Sequence, residues 1–178
     1  MGCCRRRSCQ RYTYSNCVMQ LEFGCGETPT RPGYSTSDIR DLPGIDYVCP
    51  AWEINKHVKP NTVTHIWSRH FLEHLTFSQG RIWLRACLDI LVSGGEQTIC
   101  VPNMRFHVQQ WINGNALEHA RAGFWGWQRE GETELWDVHK SGYTDEQLIK
   151  LVSEIGYTGA RSTKKQNHKH LEVVCYKE

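Results

Sequence analysis

The run Leu21-Glu22-Phe23-Gly24-Cys25-Gly26 and, beyond it, the carboxylate of Asp38 are the residues whose types and spacing first suggest chemistry. Val18 to Phe23 is a short apolar stretch of strand character that ends in glycines. Gly24 and Gly26 permit a sharp turn and let a ligand approach backbone amides with no Cβ in the way. Asp38 closes a second extended run, Gly33-Tyr34-Ser35-Thr36-Ser37-Asp38. A carboxylate at the end of such a strand can accept two hydrogen bonds from ribose hydroxyls. A G-x-G alone occurs in many loops; a strand-Glu-x-Gly-x-Gly followed by a strand-Asp is a more specific pointer to a nucleotide-like ligand.

The elements that must position these groups follow from the rest of the chain. Only seven residues separate Gly26 from Tyr34, and they include Pro29 and Pro32. A parallel crossover through a helix needs about a dozen residues, and proline opposes a helix in any case, so a loop is expected there. The same holds after Asp38, where Ile39-Arg40-Asp41-Leu42-Pro43-Gly44 reads as a turn before a third strand, Ile45 to Val48. Trp52 to Val58 can form two helical turns before Lys59-Pro60. Val63 to Ser68 is a fourth strand, and Ser78 to Val92 a long helix closed by a glycine C-cap at Ser93-Gly94-Gly95. A fifth strand, Gln97 to Val101, stops at Pro102. Helices are expected around Phe106–Trp111, from Ala116 to Trp127, and from Asp145 to Ile155 behind an N-cap at Thr144. Two strands, near Ala160–Lys164 and Leu171–Tyr176, complete the reading. Alternating strands and helices argue for an α/β fold with a mainly parallel sheet.

Composition bounds the class. The 178 residues suit one domain able to bury a full core. A net charge of +2 gives no large field for nucleic acid or membrane. The nine cysteines are scattered and odd in number, and Cys87, Cys100 and Cys175 sit in apolar runs. That usage fits a reducing, cytoplasmic setting better than a disulfide framework. No apolar run approaches the roughly 20 residues of a membrane span, and there is no signal-peptide core. Residues 1–17, with Met1-Gly2-Cys3-Cys4-Arg5-Arg6-Arg7, form a distinct basic, cysteine-rich arm, expected to be disordered or weakly docked. An acylated anchor would want Ser or Thr where Arg6 stands, and Cys3, Cys4, Cys9 and Cys17 lack the paired spacing of a zinc site. A membrane or nucleic-acid role and a metal cluster remain the alternatives for the arm. The domain proper is expected at 18–178, with a substrate-side insertion at about 103–140.

In order, the motifs L-E-F-G-C-G, G-Y-S-T-S-D, S-R-H-F-L-E-H-L, L-V-S-G-G, V-P, and H-K-S-G-Y-T ahead of a helix ending I-G-Y resemble class I S-adenosylmethionine (SAM)-dependent methyltransferases. The likeness is to the short type 11-like subset, and it spans Val18 to about Tyr157. The resemblance implies a Rossmann-like, mainly parallel seven-stranded sheet, reduced by loss of the helices after the first two strands. It implies SAM as cofactor, with S-adenosylhomocysteine as product. It places Glu22 near the donor's amino-acid end, Gly24, Cys25 and Gly26 against its carboxypropyl group, Asp38 on the ribose with Ile39 beside it, and Ser68, Arg69 and His70 along the pocket. After the third strand, many members carry an Asp that accepts from the adenine amino group. Here Cys49-Pro50-Ala51-Trp52 has no carboxylate, so backbone groups and stacking on Trp52 are expected to hold the base.

A methyl acceptor needs only positioning and, for a hydroxyl or amine, removal of a proton. His70, His74 and His139 are the candidate bases, with His74 and His139 named as catalytic. The competing readings are structural hydrogen bonding for His74 and a surface loop position for His139. Glu73 and Asp137 either orient these histidines or are simply solvated, the latter being the simpler reading. Trp111, Trp125, Trp127 and Tyr143 are the candidate acceptor-binding residues. Core packing is the alternative for the cluster of Trp111, Phe124-Trp125-Gly126-Trp127 and Trp136. No metal site is expected, and His168-Lys169-His170 reads as a polar hairpin tip. The chain lacks the [DNS]-P-P-[YF] run and the Pro-Cys nucleophile of nucleic-acid methyltransferases, and its only basic clusters are Arg5–Arg7 and Lys164-Lys165. A small-molecule or glycan acceptor is therefore expected, with methylation of nucleic acid, or cofactor binding without turnover, as alternatives. Missing crossover helices would leave one sheet face near the second and third strands bare, to be covered by the arm or by a second subunit in a homodimer.

Overall fold

The computed structural model describes residues 18–128 and 137–178. The expected arm at 1–17 lies outside the described residues, as do residues 129–136 of the expected insertion, Trp136 among them. Strands β1 (Met19–Phe23), β2 (Ser35–Asp38), β3 (Tyr47–Val48), β4 (Val63–Arg69), β5 (Leu91–Pro102), β6 (Thr158–Ser162) and β7 (His170–Tyr176) form one sheet. Their order is β3-β2-β1-β4-β5-β7-β6. The first five are parallel, and β7 runs antiparallel to both β5 and β6. This is the mainly parallel seven-stranded α/β sheet anticipated, with no helix between β1 and β2 or between β2 and β3.

Four α-helices complete the described fold: α1 (Phe77–Ile90), α2 (Met104–Ile112), α3 (Leu117–Trp125) and α4 (Asp145–Ile155). Short 3-10 helices cover Ala51–Lys56 and Leu72–His74, the first replacing the two α-helical turns expected from Trp52. Helix α1 starts where Thr76 accepts from the Gln79 amide and Gln79 reciprocates, a capping box. Thr144 and Gln147 do the same for α4. None of the described helices is long and apolar enough to cross a membrane.

The glycine C-cap expected for α1 is not formed. The helix ends at Ile90, and Leu91 is already extended, with φ −64° and ψ 143°. Gly94 and Gly95 lie inside β5, where the register against β4 slips between Val63 and His65. Gly94 takes φ 74°, a conformation that suits glycine.

One sheet face is apolar. Leu21, Phe23, Ile66 and Ile99 are buried there with Trp83, Leu84, Cys87 and Ile90 of α1 and Leu148 and Val152 of α4. Trp83 meets the edges of Phe23 and Phe71 at centroid distances of 5.4 and 5.1 Å. The opposite face carries Glu22, His65, Trp67 and Thr98 and is polar. The loop from β1 to β2 covers it in place of a helix. Both oxygens of Glu22 accept from the Thr30 amide (2.9 and 3.1 Å), one also accepts from the Thr30 hydroxyl, and the other from the Arg31 amide at 3.0 Å. Trp67 Nε1 donates to Thr30 Oγ1, the Arg31 guanidinium lies 3.9 Å over the Trp67 ring, and Tyr34 hydrogen-bonds His65. On β2, Thr36 is held by Asp46 and Gly44, and Thr36, Ser37, Asp38 and Tyr47 are all buried. The bare apolar face expected near β2 and β3 is therefore not found among the described residues: these strand residues are largely polar, and the chain's own loops cover them.

Candidate active site

In an open parallel sheet, ligands bind outside the carboxyl ends of the strands where the chain order reverses. Here that point lies at β1, flanked by β2 and β4. A cavity of about 410 Å³ opens there, lined by Gly24 after β1, Ser37 and Asp38 of β2, Ala51 and Trp52 beyond β3, and His70 and Phe71 after β4. Its size falls in the range of small-ligand sites.

Local conformation explains the shape of this cavity. Gly24 has φ 63°, and a Cβ there would lie 2.9 Å from Cβ of Phe71, so only glycine fits between strand end and ring. His70 takes φ 50°, turning the chain out of β4. Ser37 is 1% exposed, and its hydroxyl has no protein hydrogen-bond partner, although it borders the cavity. A ligand hydrogen bond would satisfy a group that is otherwise costly to bury.

Asp38 is placed where the sequence puts it, but its acceptor sites are in use. Oδ1 accepts from the Arg40 amide and Nε, and Oδ2 from the Gly26 amide and Arg40 Nη2. Burial pushes the Asp38 pKa up, but the Arg40 side chain and the two amides outweigh it and leave it below the usual carboxylate range. Cys25 is buried, and burial, with Asp38 and Glu22 nearby, pushes its thiol up to about 11. It therefore stays protonated and is no nucleophile.

A second cavity of about 380 Å³ adjoins the first, sharing His70, His74 and Asp137 with it. Six of the nine histidines line it: His70, His74, His107, His119, His139 and His170. The segment from Asp137 to Tyr143 is tied over it. Lys140 and Ser141 amides donate to the Glu73 carbonyl at 2.7 and 3.1 Å, and the Ser141 hydroxyl donates to Leu72 O. His74 Nδ1 faces Val138 O at 3.3 Å, and His139 Nδ1 faces Gly123 O at 3.0 Å. A carbonyl can only accept, so Nδ1 carries a proton in both, and in the neutral ring Nε2 is the atom with the lone pair. Burial lowers the pKa of His139 and of His107, which favours their neutral forms.

Of the residues singled out in the sequence, Gly24, Asp38, Ile39, Ala51, Trp52, His70 and His74 line the first cavity, and His74, His139 and Trp127 the second. Glu22 is turned onto Thr30 and Arg31. Cys25, Gly26, Pro50, Ser68 and Arg69 do not line the first cavity, although the Gly26 amide holds Asp38. Trp111 and Trp125 pack edge to face at 5.6 Å, are 40% and 48% exposed, and line neither cavity. They are not core residues, and neither is Trp127 at 51%. Tyr143 is buried against Phe77. Glu73 is fully buried and bonded to His70, which overturns the solvated reading. Sequence reasoning passed over Ser37, Arg40, Lys140, His107 and His119 and read His170 only as part of a polar hairpin tip; His107, His119 and His170 converge on the second cavity from distant segments and share no local pattern.

No family model matches the chain, and no curated protein matches it by sequence. Solved structures do match. A SAM-dependent methyltransferase from Archaeoglobus fulgidus aligns with TM-score 0.65 at 14% identity, over 90% of this chain and 86% of that one. A SAM-dependent methyltransferase from Methanosarcina mazei gives 0.60 at 15%, over 92% and 93%. The 1,6-didemethyltoxoflavin-N1-methyltransferase of Burkholderia thailandensis, solved with bound 1,6-didemethyltoxoflavin and S-adenosylhomocysteine, gives 0.59 at 14%, over 90% and 71%. The likeness is one of fold: the chain has the Rossmann-like architecture of the SAM-dependent methyltransferases.

Proposed function

We propose that this chain is a SAM-dependent methyltransferase acting on an oxygen or nitrogen of a small molecule or saccharide. The observation that carries the reading is the pair of joined cavities at the switch point of this sheet, one suited to a nucleoside and the other to an acceptor. In the first, the Gly24 turn gives close backbone approach, Asp38 offers its carboxylate to a ribose that displaces the Arg40 guanidinium, and the unpartnered Ser37 hydroxyl offers one more hydrogen bond. Trp52, Ala51 and Ile39 give the apolar wall against which a flat base can stack.

SAM, when bound, supplies a methyl group already activated by its sulfonium. The chain's own residues then have to position an acceptor and keep water out. His70, His74 and Asp137 border both cavities, so an acceptor in the second lies beside the junction. Nε2 of His74 and of His139 can each take a hydrogen bond, or a proton, from a hydroxyl or amine. Basic residues cluster in the sequence only at Arg5–Arg7 and Lys164-Lys165, which supports a small acceptor over nucleic acid.

Calorimetric titration with S-adenosylhomocysteine tests the reading. Binding that is weakened by Asp38→Ala is expected; no binding of either SAM or S-adenosylhomocysteine overturns it. Methyl transfer to a panel of hydroxylated and amine acceptors then separates an enzyme from a module that binds cofactor without turnover.

A further inference from the structure

Glu73, His74 and His139 each present one ligand atom, and these atoms lie within 4.8 Å of one another. We infer that they form a binding site for a divalent transition-metal ion, with an open coordination position facing the second cavity. Three features carry this beyond proximity.

The first is the state of Glu73. It is fully buried, Oε1 is bonded to His70 Nδ1 at 3.1 Å, and Oε2 is buried with no hydrogen-bond partner. An unpaired buried carboxylate oxygen is costly, and a cation satisfies it. The second is that the outer partners of such a site are all in place. Metal-bound histidines donate their remaining N–H to a carbonyl or carboxylate, and metal-bound carboxylates are themselves hydrogen-bonded. His74 donates to Val138 O, His139 to Gly123 O, and Glu73 accepts from His70. What is left over is two imidazole Nε2 lone pairs and one carboxylate oxygen. The third is location. His74 and His139 line the second cavity, so ligands beyond the protein's three would come from that side.

Two imidazoles, one carboxylate and an open position form the donor set of catalytic zinc and of other first-row divalent ions. Tetrahedral ligands at about 2.1 Å stand about 3.4 Å apart, so the three ligand atoms, within 4.8 Å of one another, have to close by up to about 1.4 Å to complete the site. No sequence motif announces it, because His139 joins the adjacent pair Glu73-His74 only through the fold. Resting on the methyl-transfer reading, the open position takes an oxygen of the acceptor, and the acceptor class becomes a hydroxylated compound able to chelate. With the ion bound, His74 and His139 serve as ligands rather than as bases.

Titration of the full-length chain with Co²⁺ tests the site, read by visible absorption. A stoichiometric band of low-symmetry cobalt is expected without the near-ultraviolet charge-transfer band of thiolate ligation. Glu73→Gln and His139→Ala should each weaken binding at least about 100-fold, more than loss of an outer partner costs, while His57→Ala leaves it unchanged. Where either variant fails to give the circular dichroism of the folded chain, X-ray absorption of the wild-type cobalt form decides, with two imidazoles expected in the first shell. Thiolate ligation, or binding indifferent to both variants, overturns the site. Acetohydroxamate, a bidentate oxygen donor, should shift the cobalt band; no shift overturns the open position. S-adenosylhomocysteine binding is measured in parallel on the metal-free chain, so failure of the metal site and failure of the methyltransferase reading are told apart.

Discussion

Arg40 lies across Asp38, its Nε 3.1 Å from Oδ1 and its Nη2 3.3 Å from Oδ2. With the Arg40 and Gly26 amides, it fills the carboxylate's acceptor positions. A ribose must therefore displace the guanidinium, whose side chain is 39% exposed and can move outward. The pair is open to solvent on the Arg40 side only, with the Asp38 side chain 6% exposed, and a part-screened contact of this kind is worth about 1 kcal/mol. Arg40→Ala is expected to tighten S-adenosylhomocysteine binding by up to about fivefold, whereas Asp38→Ala weakens it about tenfold or more. Calorimetry on the two variants checks both signs; weaker binding in Arg40→Ala would mean that the guanidinium itself holds the ligand.

Gly24→Ala introduces a side chain at φ 63° and drives it into Phe71. A loss of about 1–3 kcal/mol in unfolding free energy is expected from the backbone alone. Urea unfolding of Gly24→Ala, of Phe71→Gly and of the two together separates the two causes: Phe71→Gly removes the three atoms nearest the new Cβ and leaves the backbone cost.

Helix α3 packs on α2 through Gly123, where a Cβ would lie 2.5 Å from His107 Nδ1. Alanine favours a helix over glycine by about 1 kcal/mol, so the contact decides the sign. Gly123→Ala should destabilise by about 1–3 kcal/mol, as overpacking does. In a His107→Ala background the same change should become neutral or stabilising. A double-mutant cycle by thermal unfolding measures this coupling.

His170 gives a pH dependence. Burial, then the charges of His70, Lys169, His168 and Arg69 around it, lowers its pKa to about 4. In the unfolded chain it titrates near 6.5. Above that pH both states are neutral and nothing is lost. As pH falls from about 6.5 towards 4, the unfolded chain takes up a proton that the folded chain refuses, so stability declines across this window. His65, His107 and His139 are shifted in the same direction by burial. His170→Gln should therefore flatten, without abolishing, the slope of unfolding free energy against pH. An unchanged slope would contradict the assignment.

The fold was legible wherever the cause is local. Pro29 and Pro32 with a short interval ruled out a helix after β1, and Thr144 marked the start of α4, where the structure adds Gln147 as its capping-box partner. Thr76 and Gln79 carry the same signature, and α1 begins behind Thr76 at Phe77, one residue ahead of the expected start. Gly94 and Gly95 misled because glycine serves a bulge as readily as a helix end, and only the strand pairing distinguishes the two. At the site, Gly24 and Asp38 were readable because one strand end and its neighbour are close in sequence. The histidine-lined cavity was not, because His70, His107, His139 and His170 meet through tertiary packing. Glu73 was misjudged for a related reason: a charged residue is buried when its partners come from elsewhere, and those partners leave no periodic trace.

The loop from β1 to β2 hangs on Glu22, a side chain rooted in an interior strand of the sheet. Amide exchange with solvent should reflect this anchoring. The N–H groups of Thr30 and Arg31 end on a carboxylate that is 2% exposed. They can open only when β1 itself gives way or when the loop tears free of it as a unit. In a hydrogen–deuterium map, these two loop amides should therefore show the slow rates usual for core strands, set within a stretch that otherwise exchanges fast.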